Sequence, residues 1–225
     1  LENIVELSSM DVQFKKLLYQ LIEVPEEKHN KDVVLSSIEQ LAHLPQDMLA
    51  YLVDQKTKIR FINGFITEEP EVQDIYDEEK NIHIRDVDGV YVIESNLILL
   101  RILEKDTPLT MLHEIGHAYE WLTKKLYSQS PEFIEIWALE AERVFKRKNK
   151  ESSYWYKHPD EYFAEFFTSY FTIDAYRFSW DSHHSKEELK KIAPLTYDLF
   201  DKEIAVFNYD AKKQIGQPIK KAVNR

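Results

Sequence analysis

The chain has 225 residues, with 40 Asp and Glu against 29 Lys and Arg and a formal net charge of −11. That length is ample for a buried core, and 44% hydrophobic residues with only 4 Gly and 8 Pro exclude a disordered or collagen-like chain. The acidic balance argues against duplex nucleic acid and anionic lipid as partners, since both need clustered Lys and Arg. With 0 Cys, disulfides, thiolate metal sites and a Cys nucleophile are excluded.

The first third reads as helices. Leu17, Leu18, Leu21 and Ile22 recur at helical spacing behind the cap candidates Ser8-Ser9, and Val24-Pro25 ends the segment. Further helical patterns run from Asp32 to Leu44 and from Pro45 to Asp54. The period then changes to two: Lys58 to Ile62 alternates and stops at Asn63-Gly64, Asn81 to Arg85 alternates again, and Asp88-Gly89 precedes Val90 to Ile93. A last β-prone run covers Leu97 to Ile102; apolar runs of this size are far too short to span a bilayer. Four helices are predicted beyond it, over 108–126, 131–148, 159–173 and 186–206, the last broken at Ala193-Pro194. The acidic stretch Glu68 to Glu79 is expected to be a solvated loop. These elements predict a mainly helical α+β fold with a small, mostly antiparallel sheet in the middle of the chain. One domain over 1–225 is expected, with an N-terminal helical part at 1–56, a sheet part at 57–105 and a second helical part at 106–225.

One stretch carries chemistry: His113-Glu114-Ile115-Gly116-His117, inside a predicted helix opened by Thr107 and Pro108. Residues four apart lie about 40° apart around a helix and roughly 6 Å along it, so His113 and His117 can reach one ion. Glu114 sits beside that ion without being placed to ligate it with the pair, and is the candidate general base for a metal-activated water. Zinc suits the task because it brings the pKa of such a water to about 7. Ile115, Tyr119 and Leu122 fall on another face and are expected in the core. Gly116 costs roughly 1 kcal/mol of helix stability against Ala, which predicts a close neighbour at that turn. By chance the pattern would arise in about 3 of 100 shuffled chains of this composition.

A catalytic zinc needs a third protein ligand and an open position. Glu161 and Glu165, four apart among Tyr162, Phe163, Phe166 and Phe167, are the candidates. Carboxylates among aromatics need a cationic partner. One would ligate the ion and the other would orient a histidine through its second ring nitrogen; spacing alone leaves their order open. Two acids on a solvated helix face is the alternative.

The His113–His117 motif, Tyr154 seven residues before Glu161, the segment Glu161-Tyr162-Phe163-Ala164-Glu165-Phe166-Phe167, and Ala193-Pro194-Leu195-Thr196-Tyr197 together resemble the zinc peptidases related to anthrax lethal factor. The bacterial Pro-Pro endopeptidases belong to that group. The resemblance covers residues 107 to 205 best. It implies one zinc ion on His113, His117 and Glu161, Glu114 as general base, Tyr154 as donor to the developing oxyanion, and Glu165 supporting the metal shell. It also implies an extended protein or peptide substrate paired with a sheet edge, Val90 to Ile93 or Leu97 to Leu100. A secreted bacterial enzyme or toxin-type effector is the implied setting; separately, a monomer is expected. Pro-Pro endopeptidases carry a longer, glycine-rich segment before the metal helix, whereas residues 74–96 here contain Gly89 alone; cleavage between prolines is therefore not carried over. The competing reading is a non-catalytic binding domain that keeps the zinc as a structural clasp. Closed structural sites usually have four ligands, often Cys, and this chain has none.

Among the remaining features, His183-His184 is expected in a surface loop, and His29, His43 and His83 are read as structural or solvated. His158 lies just upstream of Glu161, where a loop role is expected, and Tyr156 is a rival to Tyr154. The runs Lys146 to Lys150 and Lys186 to Lys191 read as solvated helix ends.

Overall fold

The N-terminal helix α1 (Val12–Leu21) starts at Asp11, whose carboxylate accepts the backbone N–H groups of Gln13 at 2.8 Å and Phe14 at 3.0 Å. Asp11 therefore performs the capping role expected of Ser8-Ser9, two residues that fall outside those described. The structure is a computed structural model that describes residues 10–73, 76–78, 82–103, 105–145, 157–173 and 184–209. Leu17, Leu18 and Leu21 of α1 are buried, as are the inner faces of α2 (Lys31–Leu41) and α3 (Gln46–Asp54).

Among the described residues, four strands make one sheet in the order β1-β2-β6-β5: β1 (Ile22–Glu23), β2 (Lys58–Ile62), β5 (Gly89–Val92) and β6 (Leu97–Arg101). The short strands β3 (Tyr76–Asp77) and β4 (Ile82–His83) pair separately and antiparallel. The sheet is mixed, which corrects the expectation of a mostly antiparallel one: β1–β2 and β2–β6 are parallel, and only β5–β6 is antiparallel. The cause is non-local. The chain leaves α1 into β1 and returns to β2 through two helices, the kind of crossover that a parallel pair requires. Asn63-Gly64 does not close a hairpin; the chain passes into a helical turn at Ile66–Glu68 instead. The Asn81 to Arg85 alternation yields two strand residues before a turn at Ile84–Asp86.

Strand β6 lies between two neighbours, and Leu97 to Leu100 are all buried, as a continuous apolar run in a central strand demands. The acidic loop is partly ordered by charge. Arg60 of β2 meets Glu23 at 2.8 Å, Glu69 at 2.9 Å and Glu71 at 3.0 Å, tying the loop to the sheet rim.

Helix α4 (Thr107–Thr123) runs through the middle of the molecule, against β5 and β6 on one side and α2 and the later helix α6 (Pro159–Phe171) on others. Ile115 and Tyr119 are fully buried and Leu122 packs on the core, as their helical face predicts. In α6 the aromatic stripe is core: Tyr162, Phe163, Phe166 and Phe167 are fully buried, and Phe163 stacks on Tyr127 at 5.5 Å. Burying each such ring stabilises the fold by roughly 2–3 kcal/mol.

Further along come α7 (Lys186–Ile192), α8 (Pro194–Leu199) and a wide helical turn at Phe200–Ile204, so the break at Ala193-Pro194 is present. Ser185 and Glu188 cap α7 reciprocally. A buried carboxylate from α5 (Pro131–Phe145), Glu140, caps α8: it accepts from Leu195 N at 3.0 Å, Thr196 N at 2.9 Å and Thr196 Oγ1 at 2.8 Å. Thr196 Oγ1 also meets the Tyr162 hydroxyl at 2.8 Å, which joins α5, α6 and α8. Among the described residues no helix is long and apolar enough to cross a membrane.

Gly116 is the point where α4 and α6 touch backbone to backbone. A Cβ there would stand 3.0 Å from Ala164 Cα and 3.2 Å from Phe167 Cβ, inside the 3.5–4.0 Å at which carbons pack. Valine is the better helix former, yet Gly116→Val is expected to lower stability by about 2–3 kcal/mol through overpacking. Urea unfolding monitored by circular dichroism measures this; an unchanged or raised midpoint would show that the two helices have room to spare.

Candidate metal centre

The contact at Gly116 sets two pairs of side chains against each other. His113 and His117 are one turn apart on α4, and Glu161 and Glu165 are one turn apart on α6. Pro159 near the start of α6, with Asp160 and Glu161 following, favours helix initiation, and the acids suit its positive end. The three atoms that matter come together: His113 Nε2 lies 3.1 Å from His117 Nε2 and 3.1 Å from Glu161 Oε2. Glu161 Oε1 is 3.8 Å from His117 Nε2. Candidate ligand atoms of these three residues all fall within 4.8 Å of one another.

This donor set fits a divalent cation. With bonds of about 2.0 Å, two ligand atoms of a tetrahedral zinc are about 3.3 Å apart, close to the two short separations. Two imidazoles and a carboxylate facing one another present lone pairs that repel unless a proton or a cation lies between them. Glu165 completes the arrangement. It is fully buried, its Oε2 stands 3.0 Å from His113 Nδ1, and its Oε1 meets no hydrogen-bond donor among the described residues. A proton on Nδ1 donated to Glu165 leaves the His113 Nε2 lone pair facing Glu161 and His117, the tautomer that a metal ligand needs. Burial alone would lower the His113 pKa. Hydrogen bonds to Glu161 and Glu165, with Glu114 close by, outweigh it and hold the imidazole well above its ordinary range. The pocket thus calls for positive charge, which a bound cation would supply.

The same residues line a cleft of about 610 Å³. His113, Glu114, His117 and Glu161 form its floor, Gly89 to Tyr91 of β5 one wall, and Trp121 and Leu126 part of another. Glu114 is 7% exposed, so its carboxylate is nearly removed from solvent while still reaching the cleft. Glu120 holds the far wall in place. Its Oε1 accepts from Ser128 N at 2.7 Å, fixing the turn after Lys124, where α4 ends in the left-handed region. Burial, opposed by that hydrogen bond, pushes the Glu120 carboxyl up to about 7.

Five of the residues singled out from sequence, His113, Glu114, His117, Glu161 and Glu165, are therefore assembled in one place. Tyr154 and its rival Tyr156 lie outside the described residues, as does His183. His158 precedes α6 and its carbonyl accepts from Tyr162 N at 2.9 Å. His184 Nε2 lies 3.0 Å from the Val144 carbonyl oxygen. Of the two strands offered as a sheet edge, Leu97 to Leu100 belongs to central β6 and is excluded; β5 stands at the end of the sheet. Sequence reading missed Glu120 and Gly89. For Glu120 the available signal was an acid on the turn after His117 in an otherwise apolar helix.

Known proteins resemble this chain over most of its length. The family model described as anthrax toxin lethal factor, N- and C-terminal domain, matches residues 7–203. A Pro-Pro endopeptidase of Paenibacillus alvei is 29% identical over 205 residues, which span 86% of this chain and 87% of that one. The solved structure of the Pro-Pro endopeptidase PPEP-2 from Paenibacillus alvei has a TM-score of 0.66 at 28% identity, over 83% of this chain and 98% of that chain. Because the matched span takes in the sheet, the central helix and both pairs of facing side chains, the chain belongs to the anthrax toxin lethal factor domain family.

Proposed function

We propose that this protein is a zinc-dependent metalloendopeptidase acting on extended protein or peptide substrates. The observation that carries the reading is the convergence of His113, His117 and Glu161 within 4.8 Å, at the floor of a cleft that Glu114 also lines. Its similarity to Pro-Pro endopeptidases supports the reaction class, and a donor set of two histidines and one carboxylate supports zinc.

In this reading His113, His117 and Glu161 hold one ion, and Glu165 keeps His113 in the ligating tautomer. A zinc ion bound there would acidify a water toward pH 7 and draw electrons from a peptide carbonyl. Glu114 takes the proton from the attacking water and passes it to the departing amine, a transfer that its near-dry setting favours. Tyr154 donates a hydrogen bond to the carbonyl oxygen as negative charge grows on it. The substrate lies extended along the outer edge of β5, where backbone pairing holds it with little regard to side chain. That edge carries no sheet partner among the described residues, since β5 bonds only to β6, through Gly89 to Val92 against Leu100 to Leu97. The protein is further proposed to act as a monomeric single domain, secreted as the family suggests.

Two outcomes test this. Hydrolysis of a mixed peptide library should vanish with a zinc chelator and return with added zinc, and Glu114→Gln should lower turnover at least about 100-fold while binding zinc normally; chelator-resistant cleavage, or an active Glu114→Gln, would refute the mechanism. Glu165→Ala should weaken zinc binding about 10- to 100-fold in competition titrations, whereas unchanged affinity would deny it any part in the metal shell.

A further inference from the structure

We infer that Gly89 is a positioning residue of the cleft: its missing side chain seats the edge strand directly on the Glu114 turn of α4, and so sets the spacing between a bound peptide and the general base. The inference rests on the peptidase reading above. Side chains alternate along β5. Tyr91 packs on the main core, while Val90 and Val92 pack on a separate cluster with Ile62, Ile66, Leu97 and Leu99. Gly89 shares the Tyr91 face, the one turned toward α4. An added Cβ would stand 2.5 Å from Thr110 Cγ2, 3.1 Å from Leu100 Cδ2 and 3.3 Å from Glu114 Cγ.

None of these neighbours yields easily. Leu100 is fully buried and is the register partner of Gly89. Thr110 Oγ1 donates to the Asp106 carbonyl at 3.1 Å, and a β-branched side chain in a helix has few other rotamers, so its methyl is fixed where the new carbon would go. Gly89 is not in the left-handed region, so the backbone itself would accept an alanine. Space is the constraint. A methyl there must move the strand edge outward, displace Glu114, or both, and either change alters the alignment of a strand-paired carbonyl with Glu114. None of the three nearest atoms it would meet belongs to a proposed metal ligand.

The test is Gly89→Ala beside the double variant Gly89→Ala/Thr110→Ser, which deletes the obstructing Cγ2. With zinc loaded, Gly89→Ala should lose about 10- to 100-fold in kcat, the scale expected from misplacement by an ångström or less, with KM changed far less and zinc stoichiometry unchanged. The double variant should recover most of that kcat. A purely structural glycine would show a lowered melting temperature and an unaltered kcat in the folded fraction. Wild-type turnover in Gly89→Ala would overturn the inference, and so would a double variant that folds and binds zinc but gains nothing. If Gly89→Ala does not fold, the double variant must both fold and cleave for the inference to stand. A wild-type chain that cleaves no peptide would instead overturn the peptidase reading itself.

Discussion

The contact on which the rest of the molecule depends is the meeting of two helix backbones at Gly116 and Ala164. Each helix brings two side chains one turn apart, and only near backbone contact lets a carboxylate from one reach an imidazole of the other at 3.0–3.1 Å. The four groups interlock as i, i+4 pairs, so the separation of the helices fixes every donor distance at once. Burying Glu161 and Glu165 costs free energy that their own hydrogen bonds offset only in part. The offset lies in the surrounding rings: Phe163, Phe166, Phe167 and Phe200 pack at centroid distances of 4.9–6.3 Å and hold α6 against its neighbours. Stability thus comes from the aromatic shell, and the polar centre uses the rigidity it provides.

In the proposed reading, the sheet restricts how a peptide substrate can lie over the metal centre. Its antiparallel end strand β5 borders the cleft, and the pleat gives each wall a separate task, with Val90 and Val92 anchoring the strand and the opposite face meeting α4. Across the cleft, the turn after α4 is held by Glu120. Both walls are therefore attached to the helix that carries His113, Glu114 and His117, and the spacing between these side chains and the strand edge is set by packing on that one helix. The Glu140–Thr196–Tyr162 hydrogen bonds extend this rigidity to the far side of α6, one residue from Glu161.

What the sequence disclosed follows the range of the interactions concerned. The histidine pair, the carboxylate pair and the crowding at Gly116 are i, i+4 or single-residue features of a helix, and they were legible. That Glu161 faces the histidines while Glu165 meets His113 Nδ1 was legible only through the family resemblance and not from spacing, because both acids obey the same local pattern and only the packing of α4 on α6 separates them. The positions of β2, β4 and β5 were legible from strand patterning and that of β6 from its apolar run, but β1 and β3, two residues each, were not, and neither were strand directions: the pairing of β1 with β2 is decided by a crossover through two helices. Gly89 and Glu140 were silent for a related reason. The partners of Gly89 lie on β6 and α4, and those of Glu140 are 55 and 56 residues away. A residue's neighbours in sequence say little about contacts made at that distance.

In the proposed reading, one cation is held by side chains from two helices. The most direct measurement is the zinc stoichiometry and affinity of the purified chain by native mass spectrometry and competition titration, on the wild type and on His117→Ala. One zinc per chain is expected, bound tightly, with affinity collapsing in the variant while the helical circular dichroism signal persists. Substoichiometric, weak zinc in the wild type, or zinc retained undiminished without His117, would contradict it.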